Sequence, residues 1–478
     1  MSRIVLIVWC FSALLAPQSA NAQWPDVYGT RTLVSSTPAA PLLKKASCMA
    51  DASDYPLELE VAILRAVCAN PQARQAWANA RAQAAAVGVS EAAYLPTLSA
   101  TGGYERNTLS TTYDYSAFGI GSQRNSQNSS NRYGMLNLSW VLFDFGKRGA
   151  ALRQARLLLA AANASQDDAL QNVFFDAARA WYAVRDSQAS VDAARKTEAI
   201  TKESLKESTA KHDAGAGTLS DKLQAQTSYR RAVLDRVSAE GDARAAAGTL
   251  AVVMGLDANT PVQIAASEPV MDHGEFGQGV DQLIDEAKTR QPKLVAARAR
   301  LDAARANVDA ARAQGRPTIS LRSSLTQNNP SYQQQPQSIP VTASRGSAIG
   351  IQVTVPLFEG FASGYRVAQA QAQVDAQEAD LQNTELQVSL DVWKSYQSLQ
   401  TDTMNLDNSK DLLADAQRSL EISRGRYKAG VGTFTELLNA QTALADAQKQ
   451  RVLAVSKWHT ARLRLAASLG NLGLWGAN

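Results

Sequence analysis

Between Ala150 and Ala214 the chain contains neither glycine nor proline, and the same holds from Tyr365 to Ser423. In a helix interior proline costs about 3 kcal/mol and glycine about 1 kcal/mol relative to alanine, so each tract permits one uninterrupted helix. Both tracts are rich in Ala, Leu, Gln, Arg, Asp and Glu, good helix formers apart from Asp. A helix over 147–212 would run about 100 Å at about 1.5 Å per residue, whereas ordinary globular helices average about 11–12 residues. A helix of that length needs neighbours all along it, as in a coiled coil, a solenoid or a tube. The fifteen prolines agree: none occurs from Thr97 to Thr260 and none after Pro356. With 6% aromatic residues and abundant alanine, the chain is poor material for one thick core. It suits long helices packed close together.

The chain also repeats itself. Pro71 to Ser99 aligns without gaps on Pro292 to Ser320, matching Val87 with Val308, Pro96 with Pro317 and Thr97 with Thr318. A second gapless alignment, at a slightly shorter offset, pairs Leu142-Phe143-Asp144 with Leu357-Phe358-Glu359 and Gln154-Ala155 with Gln369-Ala370. It continues through Ala214-Gly215-Ala216-Gly217-Thr218 on Ala429-Gly430-Val431-Gly432-Thr433, and ends at Gly255 on Gly470. The offset changes between Ser99 and Leu142, where surface loops tolerate a change in length.

The segments joining the helical blocks read as strands. Leu136, Leu138, Trp140 and Leu142 share one face, and Ile349, Ile351, Val353, Val355 and Leu357 alternate with Gly350, Gln352, Thr354 and Pro356. That is period two. Thr97 to Tyr104 and Thr318 to Leu325 are weaker partners, with polar stretches, Ser122 to Asn131 and Gln327 to Ser338, expected between the strands of each pair. Segments of about ten residues that alternate in this way mark a transmembrane β-barrel; a soluble hairpin would alternate too, but would not account for the duplicated placement behind an export signal. Four strands are too few, because spanning barrels start at about eight and a sheet in lipid must close. Any barrel here is therefore shared among copies. Arithmetic alone permits a dimer, a trimer or more.

The N-terminus reads as a leader over residues 1–22. Arg3 supplies the positive charge, Ile4 to Leu15 is apolar, and Ala20-Asn21-Ala22 fits a cleavage site. The alternative, a membrane anchor, needs about 20 apolar residues. Cys10 lies inside the leader and lacks the flanking pattern of an acylation signal. The other cysteines, Cys48 and Cys68, are either a disulfide formed after export or two unrelated thiols. Beyond the leader no apolar run is long enough for a spanning helix. The net charge of +4 carries no basic stripe for nucleic acid. His212, His273 and His459 are scattered, no spacing pairs a nucleophile with a base, and neither a metal site nor a cofactor nor an enzyme is expected.

The order leader, helix, two strands, very long helix, glycine turn, helix, given twice, resembles the TolC family of outer-membrane efflux and secretion channels. The likeness covers roughly Leu57 to Leu469 and rests on Tyr94-Leu95-Pro96-Thr97-Leu98, on Leu142-Phe143-Asp144-Phe145-Gly146 with its twin Leu357-Phe358-Glu359-Gly360, and on Arg426-Tyr427-Lys428-Ala429-Gly430-Val431-Gly432-Thr433 running into Leu437-Leu438-Asn439-Ala440-Gln441. Val67-Cys68-Ala69-Asn70-Pro71 through Ala76-Trp77-Ala78 also looks like the subgroup that exports cyclolysin by type I secretion. The resemblance implies a homotrimer in the outer membrane of a Gram-negative cell. Four strands per chain would make a shared twelve-stranded barrel set in outer-membrane lipid, above a helical tunnel crossing the periplasm. It implies two partners, a periplasmic adaptor and an inner-membrane transporter of ABC or proton-driven type.

The layout expected on this basis has an N-terminal peripheral segment at 23–56 and a first repeat at 57–256, with strands in 97–143, a long helix at 147–212, a turn at 213–218 and a helix at 219–254. An equatorial connector follows at 257–291. The second repeat spans 292–470, with strands in 317–357, a long helix at 363–428, a turn at 429–433 and a helix at 434–469, and a tail ends the chain at 471–478.

Gly215, Gly217, Gly430 and Gly432 each permit a positive φ for the chain reversal, and by the resemblance these turns meet the adaptor. Just beyond them Ser220, Asp221 and Glu436 would form rings about a shared axis, which select cations and narrow a pore. In the family carboxylates at these places narrow the entrance and an aromatic joins them, and Asp221, Glu436 and Tyr427 match. Gly432 stands where an Arg often ties the closed state and Asn439 where a second carboxylate often sits, so the resemblance does not extend to the usual closing ion pairs. A plainer role for Asp221 and Glu436 is to complement a helix N-terminus, worth about 0.3–1 kcal/mol. The expected function is a passive duct for secreted protein. Multidrug efflux is the alternative, and a soluble periplasmic coiled-coil scaffold a further one.

Overall fold

The structure, a computed structural model, describes residues 26–42, 48, 56–265, 279–332 and 343–470. The leader read at residues 1–22 and the tail at 471–478 lie outside the described residues. The elements run α1 (Leu59–Ala69), α2 (Pro71–Ala92), β1 (Thr97–Asp114), β2 (Ser122–Phe143), α3 (Lys147–Asp213), α4 (Leu219–Val253), α5 (Val280–Arg290), α6 (Pro292–Gln314), β3 (Thr318–Tyr332), β4 (Ser344–Thr354), α7 (Ala362–Lys428) and α8 (Phe434–Ser468). The helices α3 and α7 each hold 67 residues, about 100 Å of helix.

Long helices survive here because neighbours line them. Against α3 pack α4, α6, α2 and α8, and against α7 pack α8, α6 and α5. Much of the contact sets alanine against aliphatic side chains, which allows close approach: Ala80 and Ala84 of α2 with Ala155 and Leu159 of α3, Ala370 and Val374 of α7 with Leu301 and Val308 of α6. The largest buried cluster among the described residues lies at mid-length. There Leu170, Phe174 and Trp181 of α3 meet Leu59, Ile63 and Val67 of α1, Leu250 of α4 and Leu463 of α8. The Trp181 indole N–H donates to the Leu57 carbonyl at 3.1 Å. Leu57 also forms a parallel bridge with Ile264, so the end of the first repeat returns to its beginning. Part of the N-terminal segment lies across α2 and α3. Its Ser35 and Pro38 carbonyls accept from Trp77 and Gln166, and Cys48 is bonded to Cys68 of α1.

Each repeat closes by the same device. Asn70, ahead of Pro71, donates to the Val253 carbonyl at the end of α4 at 3.0 Å. Gln291, ahead of Pro292, donates to the Ala467 and Ser468 carbonyls at the end of α8. Carbonyls at a helix C-terminus have no partner within the helix, and these amides satisfy them. The turns that follow need glycine twice over: Gly255 and Gly470 both have positive φ, and a Cβ on either would come within about 3 Å of the backbone that closes its own repeat, at Ala69 and at Gln291.

Two expectations need correction. The connector read at 257–291 ends in α5, which stands to α6 as α1 stands to α2, so the second repeat begins with α5 rather than at Pro292. Its apolar residues Leu283 and Ala287 are buried as a helix stripe should be. The polar stretches expected between strands are themselves strand where they are described, residues 333–338 lying outside the described residues. Ser122–Asn131 pairs residue by residue with Glu105–Asp114, and Gln327–Tyr332 continues β3.

The strands form one antiparallel sheet in the order β1-β2-β3-β4, and among the described residues no strand pairs with either outer edge. Register puts Leu98, Leu138, Ser323 and Ile349 in one row across the sheet. On that face Leu98, Tyr104, Ile349, Ile351 and Val353 are all more than half exposed. The opposite face carries Ser99, Thr101, Asn137, Ser139, Ser324 and Gln352. At each strand-to-helix corner two exposed rings pair edge to face, Phe143 with Phe145 and Phe358 with Phe361, as aromatic girdles place rings at a membrane interface.

Candidate functional site at the paired turns

The two turns are built alike. After α3 the Gly215 N–H donates to the His212 carbonyl and Ala216 to Lys211, and after α7 Gly430 donates to Tyr427 and Val431 to Arg426. Gly215 and Gly430 take positive φ, +73° and +77°, the left-handed position that ends a helix. Gly217 and Gly432, expected to do the same, do not. They are glycine for space: a Cβ at Gly217 would lie 3.0 Å from the Lys211 Cβ, and one at Gly432 would lie 2.9 Å from the Arg426 Cβ. The next helix then starts on a threonine. Thr218 accepts from the Asp221 N–H at 3.1 Å and Thr433 from the Glu436 N–H at 3.2 Å. Both carboxylates thus sit in a first helical turn, favoured by the helix dipole.

Side chains tie one turn to the other. Lys211 Nζ donates to the Tyr427 carbonyl at 2.6 Å and lies 3.7 Å from the centre of its ring. Tyr427 is buried edge-on against Phe434. Burial, with the charges of Asp221 and Glu207, holds its phenol above the usual tyrosine range, so it remains protonated at neutral pH. Glu207 of α3 pairs with Arg424 and Lys428 of α7 at 3.6 and 3.2 Å. Arg426 reaches Glu436 across its own turn at 3.2 Å. In the first turn Asp213 bonds His212 and Lys222, and these partners hold its carboxyl below the usual range.

Among the sequence-derived candidates, Tyr427, Asp221 and Glu436 come together around this cluster. Ser220 is exposed and bonded to Gln224, and Asn439 is exposed on α8. Gly432 takes no part in an ion pair, but a guanidinium reaches Glu436 all the same, from Arg426 on the other limb of the turn. Sequence reasoning missed Lys211, Arg426 and Glu207. The first two had a signal: they occupy the same place in the two repeats, and both are basic in the last turn of a helix. Beside the turns a shallow cleft of about 420 Å³ runs between α4 and α8, lined by Ser220, Leu223, Gln224, Arg231 and Leu438 among others.

Comparison with known proteins gives a consistent answer. The family profile described as "Outer membrane efflux protein" matches residues 62–256 and 283–471, the two repeats. Protein CyaE of Bordetella pertussis is 33% identical over 87% of this chain and 85% of its own length. The proteases secretion protein PrtF of Dickeya chrysanthemi is 22% identical over 54% of this chain and 55% of its own. Among solved structures, the Campylobacter jejuni CmeC outer membrane channel superposes with a TM-score of 0.73 at 17% identity, covering 87% of each chain.

Proposed function

The chain belongs to the outer membrane efflux protein family, and on that premise we propose that it is the outer-membrane duct of a type I protein-secretion system. It is a TolC-like outer-membrane channel protein of Gram-negative type, extends into the periplasm and is not an enzyme. Family membership implies a trimeric channel working in a tripartite system. The observation that carries the reading is the open four-stranded sheet with one apolar, exposed face. It fits lipid on that face, its unpaired edges have to be satisfied by neighbours, and it is continuous with helices long enough to bridge a periplasm. Three copies give twelve strands.

Protein cargo is supported by the Val67–Ala78 resemblance and by the secretion role in the name of PrtF. The adaptor would meet the turns at Gly215, Gly217, Gly430 and Gly432, beside the cleft between α4 and α8. The inner-membrane partner would be an ABC-type transporter or a proton-driven pump. Asp221 and Glu436 would ring the entrance, with Tyr427, Ser220 and Asn439 around them. Deleting the gene is expected to abolish export of a type I substrate. Drug sensitivity with export intact would move the reading to small-molecule efflux. Purified protein in planar bilayers is expected to conduct cations, and Asp221→Ala or Glu436→Ala to weaken cation preference. Unchanged selectivity would remove both residues from the entrance.

A further inference from the structure

The charges of the barrel segments are few and one-sided. Residues 97–143 and 318–357 hold Arg106, Arg124, Arg132, Arg322 and Arg345, no lysine, and only two carboxylates, Glu105 and Asp114. Register sorts them by face. Arg106 lies opposite Ser130, Arg132 opposite Tyr104 and Asn329, and Arg345 opposite Gln327. Side chains alternate along a strand, so Arg106 shares a face with Leu98, Arg132 with Leu138 and Arg345 with Ile349. That is the apolar, outward face. Glu105 and Arg322 fall on the lumen face.

The three outward arginines also share a level. On the outward face of β2 the apolar positions run from Trp140 to Leu136, and on that of β4 from Val353 to Ile349. Further from the helices come Gly134 and then Arg132, and Ser347 and then Arg345. From the Phe143 corner to Arg132 is about 36 Å of strand at about 3.3 Å per residue, or about 28 Å along a barrel axis tilted about 40° to the strands. An apolar band is about 25 Å tall. The arginines therefore begin where the hydrocarbon ends, on the side away from the helices.

Nothing neutralises them. All three are exposed, and among the described residues none is in an ion pair. Asp114, the one carboxylate on this face, lies about 26 Å beyond Arg106 along β1 at about 3.3 Å per residue and accepts from the Ser116 N–H. Residues 115–121 and 333–343 contain no acidic residue, so neither hairpin can supply one. Soluble surfaces intersperse both signs of charge; here a trimer would carry three such arginines per chain around one rim. Guanidinium groups match phosphate with a planar fork of donors, which lysine lacks. Arg106 and Arg132 are diagonal neighbours across the β1–β2 ladder, about 7–8 Å apart at the backbone, close enough to share one phosphate. Gln327 and Asn329 lie on β3 between Arg132 and Arg345, as donors and acceptors for sugar hydroxyls.

We infer that Arg106, Arg132 and Arg345 form a phosphate-binding belt on the lipid side of the barrel's extracellular rim, and that it holds the phosphorylated glycolipid of the outer leaflet. The inference rests on the channel reading, which sets this face in lipid and this end of the sheet outside the cell.

The test uses the full-length trimer in detergent. It is titrated with lipopolysaccharide and with the same lipid stripped of its phosphates, and binding is read from the shift in thermal midpoint. The native chain is expected to bind the phosphorylated form at least about tenfold more tightly, and the preference should shrink as salt rises. Arg106→Gln with Arg132→Gln and Arg345→Gln should abolish the preference and leave conductance in planar bilayers unchanged. Arg322→Gln, on the lumen face, should keep it. Equal affinity of the native chain for the two lipids overturns the belt, and that comparison decides the matter even where the triple variant fails to assemble. A triple variant that keeps the preference, or an Arg322→Gln variant that loses it equally, also overturns it. Inorganic phosphate competing at the same concentration as the lipid overturns the lipid assignment, because the site would then serve a free anion. Native protein that never inserts into bilayers sinks the channel reading, whereas a trimer that inserts and conducts without preferring phosphate sinks the belt alone.

Discussion

Where a barrel strand gives way to a long helix, the first repeat buries an ion pair and the second does not. Asp144 and Arg148 bond at 2.7 Å with side chains only 10% and 13% exposed. The same guanidinium donates to the Val141, Leu142 and Ala93 carbonyls and lies over the Tyr94 ring. At the matching place of the second repeat Glu359 pairs with Arg366, 33% and 44% exposed, and Ser363 stands where Arg148 would be. The N-terminal ends differ too. Cys68 of α1 is in a disulfide, and its counterpart in α5 is Thr289. Duplication preserved the path of the chain, through glycines and helix caps, and let the two copies be fastened differently. The first repeat, which also receives the N-terminal segment, carries the heavier fastenings.

That difference has measurable consequences. The largest is expected from Asp144→Ala, which strands a mostly buried guanidinium and should cost about 3–4 kcal/mol, against under about 1 kcal/mol for Glu359→Ala. Denaturant or SDS resistance of the trimer would read both, and equal losses would erase the contrast. Next comes the disulfide. Cys48→Ser with Cys68→Ser should lower stability by about 3 kcal/mol and free the N-terminal segment to proteolysis, whereas Thr289→Ser should do nothing measurable. The turns should instead behave alike. Gly217→Ala and Gly432→Ala each force a Cβ into the preceding helix end and should cost about 1–3 kcal/mol, seen as a matched fall in thermal midpoint. The smallest effect belongs to Arg426→Ala, whose half-exposed pair with Glu436 contributes under about 1 kcal/mol. It should show in ion selectivity rather than in stability.

Much of this was legible in the chain. The absence of glycine and proline announced α3 and α7, and the gapless repeat announced a second copy of every strand and turn. Four strands being too few announced a shared barrel. The missed elements have physical reasons. Ser122–Asn131 is strand held by its backbone ladder while polar residues occupy both faces, so hydrophobic periodicity is silent there. In α5 the helical spacing was present in Leu283 and Ala287, but few identical residues carry the repeat back past Pro292. At the turns Gly217 and Gly432 read as residues needing a positive φ, because sequence does not separate a glycine required for its torsion from one required for its small size.

The sequence by itself determined the elements, their duplication and the need for other copies, because these follow from helix propensity, periodicity and the rule that a sheet in lipid must close. Only the tertiary structure decided which charges meet. Lys211 reaches Tyr427 and Glu207 reaches Arg424 across more than two hundred residues of chain. A long helix carries its charges wherever its neighbours place it, and that placement comes from packing along the whole of α3 and α7 rather than from the residues beside each charge.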